Sequence, residues 1–165
     1  MKNKVNLKEL YLLQAELDKE IATIHHVSYE STHSKRLLAL IIEIGELANE
    51  TRCFKYWSLK GPSPKEVIMD EFADGLHFLL SLGIPLNASK FEYDLVKSDL
   101  DLTSQFHQVY QYSLALENHY DLMHYEKAMQ AFLNLALSLD MTSEDIISSY
   151  KAKLSVNHKR QENKY

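Results

Sequence analysis

Apolar residues recur every three or four positions along most of this chain. In the opening segment they fall at Leu7, Leu10, Leu13, Leu17, Ile21 and Ile24. That spacing predicts an amphipathic helix over roughly 6–27, with Asn6 and Glu9 as a capping pair. A polar stretch from His25 to Ser34 separates it from a second helix expected over about 34–52. The connection TRCFKYWSLKGPSP follows, ending in Gly61 and two prolines. Ser63, Pro64 and Glu66 stand at the N-cap, first and third positions of a third helix, which Gly83-Ile84-Pro85 stops near Leu82. The segment 86–102 reads as a loop with a short helix, and helices are expected again at roughly 103–118, 121–139 and 142–160. There is no sustained strand alternation and no internal repeat of roughly 20–50 residues. The expected class is all-α, a bundle of about six helices in one domain over 1–165.

Composition narrows the class further. At 45% hydrophobic and 25% charged, the chain has enough apolar surface to form a core, which excludes disorder. Four glycines and three prolines are too few for the turns of a sandwich or barrel. The single cysteine, Cys53, excludes an intramolecular disulfide or a cysteine-based zinc site, and suits a reducing cytoplasmic location. No apolar run approaches the roughly 18–20 residues that span a bilayer, and the opening MKNKVNLKELYLLQ threads polar residues through its apolar ones, unlike a signal peptide.

Charge is uneven. Residues 151–165 hold Lys151, Lys153, Lys159, Arg160 and Lys164 against Glu162, on a chain whose net charge is −5. An acidic body of this kind disfavours general nucleic-acid binding, which needs an excess of Lys and Arg to neutralise phosphates. A basic end on an acidic body is by itself an ordinary solvated terminus.

The acidic residues of the second and third helices carry more information. Glu43, Glu46 and Glu50 share a narrow sector of the second helix, while Leu37, Leu38, Leu40, Ile41, Ile42, Ile44, Leu47 and Ala48 fill the rest. A helix apolar almost all round is expected to be buried, so its carboxylates point into the protein. Burying like charges is costly unless cations neutralise them or their pKa values rise. The third helix offers a matching pair, Glu71 and Asp74, with Phe78 one turn further on. One acid-x-x-acid pair is common surface decoration. Two of them, EIGE and EFAD, could set four carboxylates around one pocket and hold magnesium or manganese, hard ions that keep open positions for substrate phosphates. Lys153, Asn157 and Arg160 share a face of the last helix and could meet phosphates and nucleotide. With no GxxxxGK[ST] and no GxGxxG, the phosphates are not expected on a glycine loop.

The run EIGELANETRCFKYWS (43–58), followed by DEFADGLHFLLSLG (70–83), resembles the dimeric, all-α dUTPases of the MazG-like pyrophosphatase superfamily. The ending KLSVNHKRQENKY (153–165) resembles that group's late K-x-x-x-N-x-x-R-Q motif, and LLQAELDKEI (12–21) resembles its first helix. The resemblance implies magnesium-dependent hydrolysis of dUTP, and of dUDP, to dUMP, with pyrophosphate released from dUTP, in a cytoplasmic homodimer whose sites draw on both subunits. It implies Glu43, Glu46, Glu71 and Asp74 as metal ligands, with Glu43 or Glu46 also helping to activate water. Gln14 matches the glutamine that reads uracil, Phe78 the aromatic that stacks on the base, and Asp74 a group near the deoxyribose. Trp57 and Lys55 match residues bordering the nucleotide, and Lys153, Asn157 and Arg160 match phosphate and nucleotide contacts. The pattern departs at the end, where Lys164 stands in place of a glycine, so a phosphate-covering segment is expected to be shorter or completed differently.

Two other readings stay open on the residues alone: another all-α pyrophosphatase acting on dCTP or a modified nucleotide, and a helical dimer that binds nucleotide or a protein without turnover. Uracil and cytosine differ at position 4 and N3, and an amide such as Gln14 can flip to serve either pattern. The histidines show no ligand spacing; His25, His26, His77 and His124 read as hydrogen-bonded or surface residues.

Overall fold

The computed structural model describes residues 3–165. In chain order it contains β1 (Lys4–Asn6), α1 (Lys8–His25), α2 (Tyr29–Thr51), α3 (Lys65–Gly83), β2 (Glu92–Asp94), α4 (Leu102–Leu114), a single 3₁₀ turn (Ala115–Glu117), α5 (Leu122–Ser138) and α6 (Ser143–Glu162). The fold is all-α, with six α-helices among the described residues. None of them is long and apolar enough to cross a membrane.

The helix starts differ from the sequence reading, each for a local reason. Asn6 lies in β1, one residue before the N-cap position of α1, and β1 pairs antiparallel with β2 with Val5 opposite Tyr93; its Oδ1 still accepts the amide of Lys8, the first residue of α1, at 2.9 Å. The Leu7 amide continues that ladder by donating to the Phe91 carbonyl at 2.9 Å. α2 begins five residues earlier than the expected 34, because Ser28 caps it reciprocally with Ser31. Such a box is worth about 1 kcal/mol, and the run of polar residues that follows is simply the exposed first turns of the helix. α3 starts at Lys65 after Pro64, and the Ser63 hydroxyl, expected as its cap, instead donates to the Glu50 carboxylate. The short helix expected within 86–102 is the strand β2.

α2 packs along α3, α6 lies against both α3 and α1, and α4 and α5 pair with each other. Leu40, Ile44 and Leu47 of α2 and Phe72, Leu76 and Leu79 of α3 are fully buried at the centre. Each contributes about 1.5–3 kcal/mol relative to exposure. Phe72 stacks on Phe132 of α5 at 4.5 Å, and Gly75 leaves the room: a Cβ there would lie 2.8 Å from the Phe132 ring.

α2 is not buried all round, as its composition had suggested. Leu38 and Ile42 are 60% and 52% exposed, one turn apart on a face that this chain alone leaves open. Glu46 is exposed, and Glu43 is half-buried. The acidic edge therefore stands at the rim of the α2–α3 contact rather than in the core.

Candidate active site

Two helices supply the acidic cluster. Glu43 and Glu46 lie one turn apart on α2, and Glu71 projects from α3 beside them. One carboxylate oxygen of each lies within 4.8 Å of the others. Glu43 Oε2 is buried and has no hydrogen-bond partner. Glu50, the third acid of the α2 stripe, takes no part, because its carboxylate accepts the Ser63 hydroxyl.

The electrostatics record the crowding. Glu43 is pushed up to about 8, by burial first, then by the Glu46 carboxylate crowded against it and by the charges of Asp74 and Glu71. Glu71 is pushed up to about 7, by burial and then by Asp74, Glu46 and Asp70, with Lys153 opposing. Near neutral pH the cluster holds protons that isolated carboxylates would have released. An unpartnered buried oxygen among three converging hard donors fits a divalent cation, which would neutralise the repulsion and occupy the orphaned acceptor. Magnesium or manganese suits this donor set better than zinc, which favours nitrogen and sulfur.

Asp74 stands beside this trio but has a different partner. The Lys153 ammonium of α6 lies 3.1 Å from Asp74 Oδ2 and 2.9 Å from Asp70 Oδ1. Burial raises the Asp74 pKa while Lys153 pulls it down. Lys153 is itself buried, so the structure sets it as a strut between α6 and α3.

From this cluster a cleft of about 730 Å³ runs between α1, α2, α3 and α6. Glu43 and Asp74 line one part, and Gln14, Phe78, Asn157 and Arg160 line the rest, so six of the expected site residues meet there. Gln14 is buried; its Nε2 donates to Asp18 Oδ1 at 2.9 Å, and its Oε1 accepts from the Tyr150 hydroxyl at 2.9 Å. Phe78 is half-buried and offers an aromatic surface. Arg160 donates weakly to Asn157 at 3.4 Å and lies 5.2 Å from the Tyr165 ring. Lys164, at the position where the family pattern has glycine, takes φ 55°, the left-handed conformation that favours glycine. The chain turns there so that the Tyr165 amide donates to the Arg160 carbonyl.

Lys55 and Trp57 lie elsewhere. Trp57 is 64% exposed on the connection after α2, edge-on to Phe54 and Tyr56. Lys55 lines a smaller, separate cleft of about 360 Å³ with Arg52 and Lys60. This chain does not bring either side chain to the larger cleft.

The sequence reading missed several groups at the cleft. Asp18 is one turn along α1 from Gln14, a spacing that was legible but carried no signal without its partners. Tyr150 comes from α6, far away in sequence. His77 corrects an expectation: it is neither surface nor hydrogen-bonded, but 4% exposed, with no partner at either ring nitrogen, and stacked 4.2 Å from Tyr150. Burial lowers its pKa to about 4, so the imidazole that lines the cleft is neutral.

A family model described as dUTPase matches residues 6–165, which takes in every site residue named above. No curated relative matches the chain. The acid pairs of α2 and α3, the late basic motif on α6 and the match along nearly the whole length converge on one conclusion: the chain belongs to the all-α dUTPase family.

Proposed function

We propose that this protein is a magnesium-dependent dUTP diphosphatase that converts dUTP, and also dUDP, to dUMP, releasing pyrophosphate from the triphosphate. Manganese would serve as a substitute. The observation that carries the reading is the carboxylate trio of Glu43, Glu46 and Glu71, with the Glu43 oxygen buried and unpartnered at the edge of a nucleotide-sized cleft. Family membership supports the substrate class.

A bound divalent cation supplies charge neutralisation at the phosphates and a more acidic water. The chain's own residues do the rest. Glu43, Glu46 and Glu71 would hold the cation, with Asp74 as a fourth acidic group beside them. Glu43, with Glu46 beside it, takes a proton from the attacking water. Phe78 stacks on the base, Gln14 meets its polar edge, and Asp74 lies near the sugar. Asn157 and Arg160 reach the nucleotide from α6, where Arg160 can absorb charge that develops on the phosphates. Lys153 orients Asp74.

The domain over 1–165 works as a cytoplasmic homodimer. The open face at Leu38 and Ile42 and the aromatic connection carrying Lys55 and Trp57 support this, since a second copy could cover the first and bring the second to a nucleotide. Sedimentation of Leu38→Glu combined with Ile42→Glu tests it: a monomer with intact helical signal is expected, and an unchanged dimer would remove this face from the interface.

The function is tested by pyrophosphate release from dUTP, dCTP, dTTP and UTP with Mg²⁺ and with EDTA. Metal-dependent release from dUTP well above the others is expected. Release from dCTP or from several nucleotides keeps the metal chemistry and ends the dUTP assignment; no release in any arm ends both.

A further inference from the structure

We propose that Asp18 is a positioning residue for pyrimidine selection, because its carboxylate fixes which way round the Gln14 carboxamide faces the nucleotide. This rests on the reading above, in which Gln14 meets the base, and deepens it.

Both ends of the carboxamide are clamped by groups of opposite kind. Asp18 Oδ1 accepts from Gln14 Nε2 at 2.9 Å, and the Tyr150 hydroxyl donates to Gln14 Oε1 at 2.9 Å. The clamps are themselves held. Asp18 Oδ2 accepts the Ser81 hydroxyl at 2.8 Å and the Tyr29 hydroxyl at 3.0 Å. Arg36 in turn bonds the Ser81 carbonyl at 2.9 Å and the Tyr29 carbonyl at 2.7 Å, tying both donors to one guanidinium. On the other side Tyr150 is fully buried and stacked on His77.

A primary amide has two N–H donors and an oxygen with two lone pairs. The protein uses one N–H and one lone pair, which leaves one of each for a ligand. Turning the amide over would set its carbonyl oxygen against the Asp18 carboxylate, two acceptors with no proton between them. Asparagine at this position would not resist, since its own amide could turn in concert and offer an N–H. Only an acceptor-only group holds the order of donor and acceptor constant. That order is what separates the two bases: uracil carries acceptor O4 beside donor N3–H, and cytosine carries donor N4–H₂ beside acceptor N3. A fixed amide that matches the first confronts the second with like against like.

The test compares kcat/KM for dUTP and dCTP, with Mg²⁺, in the wild type and in Asp18→Asn, each with Gln14 intact and with Gln14→Ala. In Asp18→Asn the dUTP-to-dCTP ratio is expected to fall about tenfold, with kcat for dUTP little changed. In the Gln14→Ala background the same change is expected to leave the ratio where Gln14→Ala alone put it. Ser81→Ala, which loosens the carboxylate without removing its charge, should move the ratio the same way by less, and serves should Asp18→Asn fold poorly. An unchanged ratio in either folded variant overturns the proposal. So does an equal fall with and without Gln14, which would mean that Asp18 acts on its own. Wild-type protein that does not prefer dUTP would remove the functional reading and this inference together, whereas a selective wild type with an unmoved ratio removes Asp18's role alone.

Discussion

The two ends of the cleft are built on opposite principles. At the acidic end, Glu43, Glu46 and Glu71 converge with one buried oxygen left unpartnered and two pKa values forced upward. At the other end, Gln14, Asp18, Tyr29, Ser81 and Tyr150 form a network that gives each end of the Gln14 amide a partner within the protein. The first arrangement is crowded with like charges and would be relieved by a bound cation. The second is already relaxed and so is rigid before substrate arrives. One end stores a demand for its ligand, and the other stores a shape.

The strongest way to break this contrast is to delete a ligand at the strained end. Glu46→Ala should lower kcat for dUTP by about 10³-fold while the helical circular dichroism is retained, since Glu46 is exposed and supports no packing. Full activity in that variant would move the metal site elsewhere. At the relaxed end, Tyr150→Phe strips the donor from Gln14 Oε1 and should cost about 1 kcal/mol in chemical denaturation, together with a raised KM for dUTP. A loss of kcat with KM untouched would place Tyr150 in the chemistry instead.

Titration separates the ends more gently. Glu43 and Glu71 keep protons in the fold, with pKa values of about 8 and 7, that the unfolded chain releases near 4.5. Their contribution to stability is therefore present below about pH 4.5 and is lost as pH rises through 7 and 8. Melting curves of the metal-free protein should fall across that window, and Mg²⁺ should flatten the fall. His77 has the opposite sign: its pKa is lowered to about 4, so its contribution holds above 6.5 and is lost as pH falls through 4, a slope that Mg²⁺ should not touch. The smallest effect is also the most pointed. Glu43→Gln should raise the Tm of the metal-free protein at pH 8 by a few degrees, because it removes a repelled charge. A lower Tm would mean that the cluster is not strained.

The sequence by itself determined the helical class, because a three-to-four residue apolar period and few glycines or prolines leave little else. It also determined the acid pairs, since both members of each pair sit on one helix at i, i+3 and need no tertiary information to share a face. The strand pair β1–β2, the Gln14 clamp and the orphaned His77 were not readable, since each depends on residues tens of positions apart: Val5 with Tyr93, Gln14 with Tyr150, and His77 stacked on Tyr150. Apolar composition likewise predicted that α2 would be buried, yet hydrophobicity records only that a face seeks cover. Whether the same chain supplies that cover is decided by how the helices pack, and at Leu38 and Ile42 this chain does not.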